Sequence, residues 1–289
     1  MLALSERGKK RLAYGFWRFT ADQVDEAIAM IERVRASGID HLDTADVYGG
    51  ASGFGGAETL LGAVRAKAPR LLDGAMIATK AGCAPGTPYN SSAPYLKAAC
   101  EASLKRLGME RVDLFYVHRP DLLAHPAEVA GALDELVREG KIACVGVSNY
   151  TAAEVAALKR FLKAPLIAHQ IEFSAGHVDP LFDGTLDQAM AEDIAVAAWS
   201  PLARGGLAEN GPADLAAVRA ALAKLAAAHG VSPNAIAIAF LLAHPAAVTP
   251  ILGTTNEARA RECIDGLKVN LSRRDWYDIV EAARGERMP

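Results

Sequence analysis

Residues 41–50 read HLDTADVYGG. An apolar run stops there, and Asp43, Asp46 and Tyr48 follow before two glycines. A polar turn after a strand uses the same residue types, so this stretch alone decides nothing. Elsewhere, Lys80 closes AMIATK, His118 closes VDLFYVH, and Ser148 with Asn149 closes KIACVGVSN. Gln170 lies within LIAHQIEF, Trp199 and Ser200 fall at the end of IAVAAWSP, Trp17 ends RLAYGFW, and Gly253 with Thr254 ends the run VTPILGT. Singly, each has an ordinary explanation: an exposed lysine, a rim histidine, a helix cap, a packing aromatic. Eight short apolar runs that all end in hydrogen-bonding or aromatic groups are better explained by one working site at which those ends converge.

The chemistry follows from the groups. Tyr48 alone is a weak acid, with an ordinary pKa of about 10. An ammonium beside it stabilises the phenolate and lowers that value. Lys80 can supply the ammonium if Asp43 holds its charge in place. His118 can donate a hydrogen bond to an incoming oxygen. Together they make a proton donor and an oxyanion site, suited to a carbonyl that gains negative charge as hydride arrives. No side chain donates hydride, so a nicotinamide cofactor is implied. Ser148, Asn149 and Gln170 can hydrogen-bond a carboxamide, and Trp199 offers a ring a flat face. Asp46 reads as a loop or supporting carboxylate, and Gly49 and Gly50 let the chain turn sharply.

Such groups need a frame. Short apolar runs at 11–17, 38–45, 75–80, 112–118, 141–149, 166–173, 194–201 and 248–253 predict strands. Helical spacing appears at 21–38, 92–108, 126–140, 151–162, 183–193 and 213–230, then from Pro233 to about Ala243, near 256–264 and at 272–283. Val24, Ala27, Ile28, Ile31 and Val34 lie on one face, as do Leu215, Val218, Leu222 and Leu225. Gly38, Gly108 and Gly140 stop helices, and Thr151 with Glu154 forms a capping box. Strands apolar on both faces, alternating with helices, require a parallel sheet with right-handed crossovers. The fold class is α/β. With 289 residues and about eight strands, a (β/α)8 TIM barrel as a single domain over 1–289 fits better than an open doubly wound sheet. No G-x-G-x-x-G follows the first runs, which an open dinucleotide fold requires.

Composition narrows the class. Hydrophobic residues make up 51% and charged residues 22%, with net charge -3 and pI about 6.2. That is a soluble globular composition with no basic excess for nucleic acid. Cys83, Cys100, Cys144 and Cys263 are scattered without a C-x-x-C pair, so neither a disulfide framework nor a zinc site is expected, and Cys144 reads as a small core residue. The first residues lack the apolar core of a signal peptide, and no run reaches the roughly 18 apolar residues of a membrane span. A cytoplasmic protein acting on a small-molecule carbonyl substrate, with no nucleic-acid or membrane partner, is the expectation.

The motifs LDTADVYG (42–49), Lys80, YVHRPD (116–121), GVSN (146–149), HQIEFS (169–174), WSPLARGG (199–206) and ILGTTNEAR (251–259) occur in this order, and on them the chain resembles the aldo-keto reductases. The resemblance covers about Tyr14 to Asp275. It implies Tyr48 as proton donor, Lys80 and Asp43 as its ion-paired support, and His118 orienting the substrate oxygen. It implies Ser148, Asn149 and Gln170 around the carboxamide, with Trp199 where the family usually stacks a tyrosine. Ser200, Leu202, Arg204 and Gly206 would line the pyrophosphate path. Thr254 and Arg259 would face the adenosine 2′-phosphate, which favours NADPH (NADP+). Gly253 stands where many members have a lysine that also grips that phosphate, a departure that weakens the NADPH assignment. The short polar lead-in suggests a reduced hairpin at the barrel bottom. Trp17, Tyr48, His118 and Tyr89 are expected to shape the substrate pocket. Two other readings remain open: a Schiff-base lyase using Lys80, and a cofactor-binding sensor with little turnover.

Overall fold

A computed structural model describes residues 11–289; the N-terminal hairpin considered above lies outside the described residues. Eight parallel strands close into a barrel in chain order. They are β1 (Ala13–Gly15), β2 (His41–Asp43), β3 (Met76–Ala81), β4 (Val112–Val117), β5 (Ile142–Ser148), β6 (Leu166–Glu172), β7 (Ala195–Trp199) and β8 (Thr249–Leu252). The helices are α1 (Val24–Ala36), α2 (Gly56–Lys67), α3 (Ala93–Leu107), α4 (Pro126–Arg138), α5 (Ala152–Lys159), α6 (Thr185–Ala191), α7 (Ala216–His229), α8 (Pro233–Leu242), α9 (Glu257–Asp265) and α10 (Arg273–Arg284). The chain divides into two compact units, Ala13–His169 and Gln170–Pro289, the latter with Arg11 and Leu12. Among the described residues, no single helix is long and apolar enough to cross a membrane.

The local signals in the sequence act where expected. In α1, Ala27, Met30, Ile31 and Val34 are buried at helical spacing, and Gly38 follows at φ 81°. Gly108 closes α3 in the left-handed region, and Thr151 and Glu154 form the capping box of α5. Register then aligns the strand ends: Asp43 pairs with Ala78 on β3, and Lys80 with Tyr116 on β4.

Three expectations need correction. The segment between β2 and β3 contains a helix, α2, which the glycines at 49, 50, 53, 55 and 56 disguise as loop. Its face of Ala57, Leu60, Leu61 and Val64 is buried. Gly62, in its middle, permits a close approach to α3, because a Cβ there would meet the Arg106 carbonyl oxygen at 2.1 Å. Cys144 is not a core residue; it is half-buried, like Ala143, near the start of β5, whose later residues are buried. The long helix expected from 213 starts at Ala216, and Leu215 belongs to a preceding single turn.

Candidate active site

Asp43 is the last residue of β2 and Lys80 the fifth of β3, both buried. The Lys80 Nζ donates to Asp43 Oδ1 at 2.6 Å and to the Thr44 carbonyl at 2.8 Å. Tyr48 follows in the loop, its ring centroid 4.9 Å from that ammonium. Its N–H bonds the Ala45 carbonyl at 3.1 Å, and its carbonyl accepts the Ala57 N–H at 3.0 Å, so the start of α2 fixes it. His118, just past β4, packs edge-on to Tyr48 with centroids 5.6 Å apart. Asn149 Nδ2 donates to the His118 carbonyl at 3.2 Å and to Ser148 Oγ at 2.8 Å. Asn149 adopts φ 60°, a conformation its residue type tolerates. Within the unit 13–169 the structure therefore brings together six residues that the sequence had spread over about 106 positions, from 43 to 149.

The electrostatics decide the protonation states. Burial disfavours the Lys80 ammonium, but Asp43 and the Tyr48 hydroxyl more than offset that, and its pKa is raised. Lys80 is charged at neutral pH. Burial raises the pKa of Tyr48, and Lys80 recovers only part of the shift. The lowering expected from the lysine is thus overridden by desolvation, and the phenol stays protonated, as a donor must. Burial, then Lys80 and Arg119, push His118 well below its ordinary value, leaving a neutral imidazole. Its Nδ1 is buried with no hydrogen-bond partner.

Behind these groups lies a support that the sequence reading missed. Glu58 on α2 is fully buried, accepts from the Thr79 hydroxyl and pairs with Arg106 Nε of α3 at 2.7 Å. Arg106 packs against the loop of Tyr48: a Cβ on Gly55, which sits at φ +83°, would meet Arg106 Cδ at 2.5 Å. The only sequence signal for Glu58 was its place on α2, visible once that helix is recognised. Trp17 and Tyr89 are exposed at 49% and 40%, and the Arg18 guanidinium lies 4.5 Å above the Trp17 ring.

In the unit 170–289, Gln170 is buried on β6 and Trp199 ends β7. Beyond it Ser200, Ala203 and Arg204 take φ of 51°, 48° and 56°. Such non-glycine residues in the left-handed region cost of order 1–3 kcal/mol each and are typical of ligand loops. Leu202 accepts the Gly205 N–H at 2.9 Å, and Gly206 has no room for a side chain, since a Cβ would meet Leu215 Cδ1 at 2.8 Å. Arg204 forks onto Glu172 at 2.9 and 2.8 Å and lies 5.1 Å over Trp199. Gly253 and Thr254 follow β8; Thr254 Oγ1 accepts the Asn256 N–H at 3.2 Å, and Asn256 caps α9 through the Arg259 N–H at 3.0 Å. The Thr254 hydroxyl, the start of α9 and the exposed Arg259 guanidinium thus lie close together in the chain, a set of groups suited to a phosphate.

The model of the aldo/keto reductase family matches residues 11–284. A 6-dehydroglucose reductase of Novosphingobium aromaticivorans is 45% identical, over 96% of this chain and 93% of its own length. Another protein of that name, from Agrobacterium fabrum, is 36% identical over 99% of both chains. The crystal structure of a thermostable aldo-keto reductase, Tm1743, with the inhibitor epalrestat superposes with a TM-score of 0.80 at 25% identity, covering 94% of each chain.

Proposed function

The chain belongs to the aldo/keto reductase family, and from that premise we propose that it is an NADPH-dependent reductase of an aldehyde carried by a sugar. The whole of 1–289 is taken as one catalytic domain. The observation that carries this reading is the buried Asp43–Lys80 pair beside Tyr48. Lys80, kept protonated by Asp43, steadies the charge that forms on Tyr48 as the phenol gives its proton to the substrate oxygen. The chemistry that a nicotinamide would supply when bound is hydride transfer to the carbonyl carbon. His118, neutral, orients that oxygen. Its buried, unpartnered Nδ1 suits the tautomer with the lone pair there, because an orphaned N–H is the rarer case. The proton then resides on Nε2, available to the substrate.

Ser148, Asn149 and Gln170 are assigned to the carboxamide, and Trp199 to the face of the nicotinamide ring. Ser200, Leu202, Arg204 and Gly206 are assigned to the pyrophosphate, and Gly253, Thr254 and Arg259 to the 2′-phosphate end. The tight fit around Gly206 and the donors at α9 support these assignments. A Schiff-base role for Lys80 is disfavoured, since a lysine held protonated is a poor nucleophile.

The two relatives named 6-dehydroglucose reductase direct the substrate proposal. Here 6-dehydroglucose is the substrate, its carbonyl at carbon 6 becoming an alcohol. NADPH oxidation is to be followed with 6-dehydroglucose and with a panel of simple aldehydes, ketones and quinones. A kcat/KM for the sugar no better than for the simple carbonyls removes the sugar assignment. No oxidation with any of them, while NADPH fluorescence still reports binding, replaces the reductase by a sensor.

A further inference from the structure

The buried charges around Tyr48 leave one group unmatched. Lys80 is paired with Asp43 at 2.6 Å and Arg106 with Glu58 at 2.7 Å. Asp46 is also fully buried, yet no side-chain donor meets either carboxyl oxygen, and the backbone N–H of Val47 is its local donor. Glu58 from α2, Arg106 and Tyr95 from α3, Lys80 on β3 and Cys83 beyond β3 all face it. Both cations are already engaged by other carboxylates. A buried carboxyl without a counter-charge takes up a proton rather than bear the cost of desolvated charge.

The backbone of Asp46 joins three elements. Its N–H donates to the Lys80 carbonyl of β3 at 3.0 Å, and its carbonyl accepts the Gly55 N–H, just before α2, at 2.6 Å. Tyr48 is two residues on. We propose that Asp46 is a positioning residue: its neutral carboxyl lets the Tyr48 loop close between β3 and α2, and carbonyl reduction requires that carboxyl to be protonated. This rests on Tyr48 being the acid. Ionising Asp46 places a second anion beside Glu58 in a dry pocket. Relief comes when residues 46–55 swing toward water, which draws Tyr48 away from Lys80. Burial, reinforced by Glu58, sets the pKa of Asp46 at about 8, so the device works in the mildly alkaline range.

Two measurements test this on the full chain. Infrared difference spectra of the wild type should contain a protonated-carboxyl band that fades through about pH 8, is missing in Asp46→Asn and persists in Tyr48→Phe. With NADPH and 4-nitrobenzaldehyde as the probe, kcat of the wild type should fall about tenfold per pH unit above that midpoint. Asp46→Asn, which mimics the protonated form, should lose that alkaline limb. Glu58→Gln, which removes the neighbouring anion, should move the limb to lower pH, and it serves if Asp46→Asn does not fold. Absence of the band, or an alkaline limb unchanged in both variants, overturns the proposal. Activity retained by Tyr48→Phe would overturn Tyr48 as the acid, while the infrared band still decides the state of Asp46.

Discussion

Lys80 and Asp43 form their ion pair fully out of water, whereas Arg204 holds Glu172 with 68% of its side chain exposed. The backbones beneath them differ too. Around Tyr48, positive φ angles fall on glycines: Gly50 at 52°, Gly53 at 72° and Gly55 at 83°. After β7 they fall on Ser200, Ala203 and Arg204 as well as on Gly205. Glycine takes that conformation without steric cost, so the Tyr48 loop rests relaxed on a dry ion pair. The loop after β7 carries strain under a solvated one, and an exposed pair is worth about 0–1 kcal/mol. The contrast separates two tasks. Groups assigned to proton transfer are fixed before any substrate arrives. An arginine assigned to phosphate is held loosely enough to change partners.

Tyr48→Phe and Lys80→Met are each expected to lower kcat by about a hundredfold or more, read in NADPH-oxidation assays. Their double mutant should be little worse than either single, since the two act as one unit. Retention of more than about a tenth of wild-type kcat in each, a loss below 1.4 kcal/mol, would discard the proton-transfer assignment. Arg106→Ala should cost about 3–5 kcal/mol in urea unfolding, because it strands the fully buried Glu58. A loss below 1 kcal/mol would mean that the pair is as weak as a surface one.

Asp46 belongs to the same dry cluster. Its pKa in the fold, about 8, stands above the ordinary 3.8. The folded state therefore binds the extra proton between these values, and stability falls as pH rises through that window, by about 1.4 kcal/mol per unit. The stability of Asp46→Asn minus that of wild type should climb with pH across this range. A difference that stays flat would mean that Asp46 is ionised in the fold.

Smaller effects belong to the exposed side. Arg259→Ala should weaken NADPH binding by roughly ten- to a hundredfold, a charge-assisted contact of about 1.5–3 kcal/mol, and leave NADH binding nearly unchanged. Equal losses for both cofactors would remove the 2′-phosphate assignment. Glu172→Gln should shift stability by less than about 1 kcal/mol and tighten NADPH a few-fold by freeing Arg204. A weaker NADPH complex would show instead that Glu172 helps to hold the arginine in its binding position.

The alternation of strands and helices, the capping of α5, the glycine stops of α1 and α3 and the groups at the strand ends were all legible in the sequence. Each depends on residues within a few positions of one another, and propensity, periodicity and capping act over that span. The cluster of Asp43, Tyr48, Lys80 and His118 was legible too, through motifs that place Asp43, Lys80 and His118 at the ends of successive apolar runs and Tyr48 in the loop after the first of these. Tertiary structure alone decided the rest. Arg106 meets Glu58 across 48 positions and Lys80 meets Asp43 across 37. The upward shifts of Tyr48 and of Asp46 follow first from desolvation, which is a property of the packed surroundings and not of the neighbouring sequence. Helix α2 stayed hidden because its glycines speak locally for a loop. Gly62 is small so that α2 can lie against the backbone of α3, and only the folded chain supplies that second helix.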